Sequence, residues 1–170
     1  MNGSLYLILG SMYSGKTTKL IKIVNDFRNS GKIVSCITSS RDVRSRSSEL
    51  KTNNKLTMNS LKVKNLIDVD IPDGVDIIVI DEAQFFDDLL PFVKKNLERN
   101  FEIIVAGLDG DYKQEPIGQI YKLISIADTY EKLYAVCNIC GNIASFTKRI
   151  STDNSKDEFA SYISVCKACL

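Results

Sequence analysis

The chain contains no histidine. That absence removes Ser-His and Cys-His nucleophilic catalysis and every histidine-containing metal site, so acid–base chemistry falls to carboxylates, lysine or tyrosine. No apolar run approaches the length of a membrane span, and the first residues lack a signal-peptide layout; both point to a soluble protein of the cytoplasm. The formal net charge is only +1, which argues neither for nor against nucleic acid as a partner. With 170 residues the chain suits one domain with a real apolar core. In a reducing compartment its five cysteines point to a metal site or plain core rather than to disulfides.

What is present is more specific. Gly10-Ser11-Met12-Tyr13-Ser14-Gly15-Lys16-Thr17, followed by Thr18, fits the phosphate-binding pattern G-x-x-x-x-G-K-[ST]. A short apolar run, Leu5 to Leu9, precedes it and reads as a buried strand. Leu20, Ile23, Val24 and Phe27 follow at helical spacing. Strand, glycine loop and helix make an anion cradle in which backbone N–H groups and the helix N-terminus face phosphates. Lys16 adds a cation, and the Thr17 hydroxyl is a magnesium ligand. These residues predict a nucleoside triphosphate as ligand.

Further strands are expected over 32–38, 76–80, 101–108 and 132–136. Helical faces are expected at Leu90, Val93 and Leu97, and at Ile120, Leu123, Ile124 and Ala127. Asp87 and Asp88 suit the start of the first of these helices, with Pro91 in its first turn. Strands that are continuously apolar and alternate with helices indicate an α/β fold, a parallel sheet covered on both faces, with ligands beyond the carboxyl ends of the strands. The stretch Ser39–Lys64 holds seven Lys or Arg against two acidic residues, a local balance of +5. It reads as a solvated loop, as a phosphate-facing loop, or as a nucleic-acid-binding arm.

Asp76 to Asp81-Glu82 is an apolar strand ending in two carboxylates. A hydrophobic strand ending in Asp is the Walker B arrangement that holds magnesium at the phosphates. The adjacent Glu82 can accept the proton of an attacking hydroxyl or water. Asp-Glu-Ala-Gln resembles helicase motifs as well, but a helicase needs a second motor lobe that 170 residues do not supply. Near the C-terminus, Cys137-Asn-Ile-Cys140 and Cys166-Lys-Ala-Cys169 are two C-x₂-C knuckles separated by 25 residues. Four thiolates satisfy a tetrahedral zinc and leave no open position, so the zinc expected is structural. Cys36, inside an apolar strand, reads as an inert core residue.

The glycine loop Gly10–Thr18, Asp81-Glu-Ala-Gln-Phe-Phe86, Ala106-Gly-Leu-Asp-Gly110, Pro116-x-Gly118, Lys132-Leu-x-Ala-Val-Cys137, Thr147-Lys-Arg149 and Tyr162-x-Ser-Val-Cys166 occur here in order. Together they resemble the zinc-containing (type II) thymidine kinases over nearly the whole length. The resemblance implies a P-loop, RecA-like domain over 1–136. It also implies a zinc-binding lasso subdomain over 137–170 that closes over the nucleoside. The implied activity is ATP-dependent 5′-phosphorylation of thymidine for nucleoside salvage and DNA synthesis, by a homotetramer, with no nucleic-acid or membrane partner. Glu82 looks like the base that takes the thymidine 5′-hydroxyl proton. Asp81 and Asp42 look like metal-side carboxylates with Thr17, and Arg44 like a phosphate-contacting arginine. Met12, Phe85, Tyr112 and Tyr162 resemble residues that pack on thymine and sugar. Two departures stand out: Thr52-Asn53 occupies the place of the family's His-Asp pair, and Glu158-Phe-Ala-Ser-Tyr162 lacks the family's glycines. A zinc-ribbon ATPase or switch, suggested by the basic stretch, and a kinase-like binding protein without turnover, suggested by the altered lasso, are the competing readings.

Overall fold

The computed structural model describes residues 3–41, 49–51, 57–150 and 161–170. In chain order the elements begin with β1 (Ser4–Gly10), α1 (Lys16–Asn29) and β2 (Val34–Ser39), then the short strands β3 (Glu49–Lys51), β4 (Thr57–Asn59) and β5 (Leu61–Val63). There follow β6 (Ile77–Asp81), α2 (Leu89–Glu98), β7 (Glu102–Gly107) and β8 (Thr129–Leu133). The C-terminal part holds β9 (Ala135–Val136), β10 (Ile143–Ala144), β11 (Phe146–Arg149) and β12 (Tyr162–Val165).

Six strands form one sheet in the order β5-β2-β6-β7-β1-β8, and every neighbouring pair is parallel. β7 lies between β1 and β6, so the strand feeding the glycine loop and the acid-tipped strand are not neighbours, as in RecA-like sheets. Side chains alternate across the pleat and both faces are apolar. Ile8, Ile77, Val79, Ile104 and Ala106 pack under Leu20, Ile21 and Val24 of α1. Leu7, Ile78, Ile80, Ile103 and Val105 face Leu89, Phe92 and Val93 of α2. Leu20 and Val24 are wholly inaccessible, and burial at that level stabilises by roughly 1.5–3 kcal/mol per side chain. The sheet is thus held rigidly between two layers, with its loops free to build a site at one edge.

Two local expectations are corrected. The run 132–136 is not one strand: β8 ends at Leu133 opposite Gly10, and Ala135–Val136 leaves to pair antiparallel with β10. The segment Ile120–Ile126 is a 3₁₀ helix rather than an α-helix. Its three-residue repeat puts Ile120 and Leu123 inside with Ile126 packed beside them, and leaves Ile124 exposed. At α2 the buried face is Leu89, Phe92, Val93 and Asn96, with Leu90 and Leu97 only partly covered. Asp88 stands at the cap position but does not cap with its side chain; its Oδ2 accepts the Ile67 N–H at 2.8 Å instead. Gln119 Oε1 takes the Leu90 N–H at 3.0 Å, so a residue far along the chain satisfies that helix start.

Candidate active site

The carboxyl ends of β1 and β6 carry the glycine loop and the acidic pair. After β1 the chain turns through Ser11–Gly15 into α1, with Gly15 in left-handed conformation immediately before Lys16. Gly10 is fixed by packing: a Cβ there would lie 2.5 Å from the Leu133 carbonyl oxygen and 2.7 Å from Ser14 Oγ. Lys16 is almost fully buried, and its Nζ donates to the carbonyls of Gly10 at 3.1 Å and Ser11 at 2.8 Å. The ammonium is thereby held against the loop that a phosphate would occupy. Met12 N–H donates to Thr147 Oγ1 at 3.1 Å, which ties the glycine loop to β11 across 135 residues of chain. Thr147 is buried, and sequence reasoning gave it no role because no periodicity reports so distant a contact.

Asp81 closes β6 at 1% exposure, and its Oδ2 accepts the Thr17 hydroxyl at 2.9 Å. Burial, and then the Glu82 charge, push the Asp81 carboxyl up to about 7, against the opposing pull of the Glu82 N–H, the Thr17 hydroxyl and Lys16. A cation beside Asp81 would favour its ionised form. A hydroxyl and a carboxylate oxygen side by side, at the foot of a phosphate loop, are hard donors of the type magnesium takes. Glu82 follows in left-handed conformation, φ 52° and ψ 39°. A non-glycine residue is uncommon in that region and is held there by its surroundings.

Those surroundings include Gln84, buried in the 3₁₀ turn Ala83–Phe85. Its Nε2 donates to Glu82 Oε2 at 2.6 Å, and its Oε1 accepts the Leu108 N–H at 3.0 Å. Sequence reasoning quoted Gln84 within a motif and assigned it nothing. Gly118 adopts φ +62°, and a Cβ there would fall 2.2 Å from the Gln84 carbonyl oxygen. Gly118→Ala is therefore expected to lower Tm by several degrees, since a left-handed alanine alone costs about 1–2 kcal/mol before the clash is relieved. Differential scanning calorimetry checks this; an unchanged Tm would show that the 107–118 loop does not close on Gln84.

The aromatic candidates gather in part. The Tyr112 and Tyr162 rings lie with centroids 6.1 Å apart, tilted by 46°, and the Arg149 guanidinium sits 5.5 Å from the Tyr112 ring centre. Tyr112, Tyr162, Met12 and Phe85 are each half-buried, so their flat or flexible faces remain reachable. Arg41 Nη1 donates to the Phe85 carbonyl at 3.1 Å and also pairs with Asp87. Asp42, Arg44, Thr52-Asn53 and the segment 158–160 lie outside the described residues.

Cys137, Cys140, Cys166 and Cys169 converge, with all four Sγ atoms within 4.8 Å of one another and the Cys140–Cys166 pair at 3.5 Å. Tetrahedral zinc with bonds of about 2.3 Å requires sulfur–sulfur edges of about 3.8 Å, so the quartet fits it. The thiols also share their protons unequally. Desolvation raises the Cys137 thiol, and together the hydrogen bonds from the backbone of Cys166, Cys140 and Ile139 and from Cys140 outweigh this and bring the thiol down to about 6. Hydrogen bonding to Cys140 and Cys166 pushes Cys169 up to about 12. Asn138 Oδ1 takes the Ser164 N–H and hydroxyl, at 3.2 and 2.9 Å, locking one knuckle to the strand that leads to the other. Cys36 is buried apart from them, its thiol pushed up to about 11 by desolvation, as an inert core cysteine should be.

A glycine loop between β1 and α1, with an acid-tipped β6 aligned to its threonine, defines a P-loop α/β protein. The family model described as thymidine kinase matches residues 3–170. Over 177 residues the chain is 35% identical to a thymidine kinase of fowlpox virus, covering 99% of this chain and 97% of that one. It is 36% identical to the human protein named thymidine kinase, cytosolic, over 98% of this chain and 73% of that one. A thymidine kinase of Porphyromonas gingivalis is 33% identical over 98% of this chain and 84% of its own. The chain belongs to the thymidine kinase family and is a transferase of the kinase type. Among the described residues no helix is long and apolar enough to cross a membrane.

Proposed function

We propose that the chain transfers the γ-phosphoryl group of ATP to the 5′-hydroxyl of thymidine, yielding thymidine monophosphate for salvage into DNA. The observation that carries this reading is the alignment of Glu82, Asp81 and Thr17 at the carboxyl ends of the strands. It sets a carboxylate base one residue from the acid that bonds the phosphate-loop threonine. Gly10–Thr18 cradle the phosphates through their N–H groups, and Lys16 and Arg44 offset charge on the transferring group. Thr17, Asp42 and Asp81 would hold magnesium, which supplies charge neutralisation at the phosphates. Glu82 takes the proton from the attacking hydroxyl. Met12, Phe85, Tyr112 and Tyr162 grip the thymine and sugar. Flat side chains of this sort cover the faces of a base and leave its edge to main-chain groups.

Residues 1–136 form the nucleotide-binding domain in this reading, and 137–170 the zinc-bearing subdomain that closes over the nucleoside. The four cysteines hold one structural zinc. The enzyme works as a homotetramer in the cytoplasm and needs no nucleic acid. Incubation with Mg-ATP and each nucleoside in turn tests the proposal. Thymidine monophosphate, alone or with deoxyuridine monophosphate, is the expected product. ATP consumption without any nucleoside monophosphate would overturn the reading, and preference for a different nucleoside would overturn its specificity.

A further inference from the structure

We propose that Gln84 is the positioning residue of the reaction, aiming the Glu82 carboxylate and locking it to the loop that carries Tyr112. The inference rests on the reading of Glu82 as base.

The amide of Gln84 is oriented by its partners. Its oxygen accepts the Leu108 N–H at 3.0 Å, so its NH₂ is the end that faces Glu82, at 2.6 Å from Oε2. Neither group can turn away: Gln84 is 3% exposed, and its main-chain oxygen lies under Gly118 so closely that no Cβ fits between them. Gly107 is closed off in the same way, since a Cβ there would meet Gln84 Oε1 at 2.7 Å. The side chain therefore joins the carboxylate to the chain just after β7, while the Gln84 main chain packs against Gly118 at the far end of the 107–118 loop. Tyr112, half-way along that loop, contacts Tyr162. The distance between base and acceptor hydroxyl is thus set through Gln84. Glu82 needs such a hold, because its left-handed backbone provides no neighbouring helical turn to confine its rotamers.

Gln84→Glu keeps an oxygen for the Leu108 N–H and replaces the amide donor facing Glu82 with a second carboxyl, which repels the base or shares its proton. Positioning contacts behind a reacting group commonly change activity 10–100-fold, so a loss of kcat of roughly that size is expected. KM for ATP should stay within about twofold of wild type, since the phosphate cradle is untouched. The decisive measurement is the double-mutant cycle with Glu82→Ala. With the carboxylate gone, Gln84→Glu should change the residual kcat by less than about twofold, because residues that act as a unit are not additive. Equal losses in both backgrounds, or no loss in either, would overturn the proposal. Should Gln84→Glu fail to fold, Gln84→Met carries the same cycle, with the same expected and overturning results. The reading of Glu82 fails separately: Glu82→Ala retaining normal turnover would remove the base itself, whatever the cycle gives.

Discussion

Glu82→Gln is expected to lower kcat for thymidine phosphorylation by about 10²–10⁴-fold while leaving the binding of ATP nearly unchanged. The substitution preserves size and one hydrogen-bonding oxygen, so the 3₁₀ turn and the Gln84 contact can persist in altered polarity. What it removes is the only thing an amide cannot do, which is to accept a proton as the 5′-oxygen attacks. Phosphoryl transfer draws mostly on positioning and charge neutralisation, and that sets the floor. Lys16 against the loop carbonyls, Thr17 beside Asp81 and the buried sheet beneath them stay in place, so residual turnover should persist well above the uncatalysed rate. Single-turnover quench-flow with saturating Mg-ATP and thymidine separates chemistry from product release. A chemical step within twofold of wild type would move the proton to another acceptor.

The second large effect concerns the cysteines. Cys166→Ser is expected to abolish zinc retention and to unfold the segment around β9–β12. The core there is too small to stand without metal: Ala135, Cys137, Ala144, Val165 and Cys166 are its buried members, and two of them are the ligands themselves. Structural zinc in small domains contributes roughly 10–16 kcal/mol of apparent binding energy, far more than five small side chains supply. Loss of that segment should also loosen the glycine loop, because Thr147 of β11 holds the Met12 N–H and Tyr162 of β12 meets Tyr112. Activity should fall at least about 100-fold along with the metal, as for any ligand whose loss dismantles its site. Zinc content by atomic emission and tyrosine near-ultraviolet dichroism check this together. Wild-type protein purified with well under one zinc per chain, or a Cys166→Ser variant with unchanged dichroism and turnover, would defeat the assignment.

Local signals carried much of this protein. The glycine loop, the strand before it and the helix after it were legible because their residues are contiguous and their periodicities strong. The parallel sheet followed from continuous apolar strands separated by helical patterns. The convergence of the four cysteines was legible from knuckle spacing alone, since each C-x₂-C turn presents two thiols whatever the rest of the chain does. Legibility failed wherever a distant partner outweighed local preference. Ile120–Ile126 has the spacing of an α-helix, yet it is wound as 3₁₀, with Ile120 and Leu123 in the core and Ile124 left outside. The run 132–136 has the composition of one strand but divides between the main sheet and the part that carries the four cysteines.

The same division runs through the site. Sequence by itself determined which groups are the candidates: Lys16, Thr17, Asp81, Glu82 and four cysteines, all in motifs short enough to read along the chain. Only the tertiary structure decided how they are held. Gln84 reaches Leu108 and Gly118, and Thr147 reaches Met12 across 135 residues. Such contacts leave no periodicity behind, because a hydrogen bond between loops depends on where the sheet places their ends and not on the residues beside them in the chain.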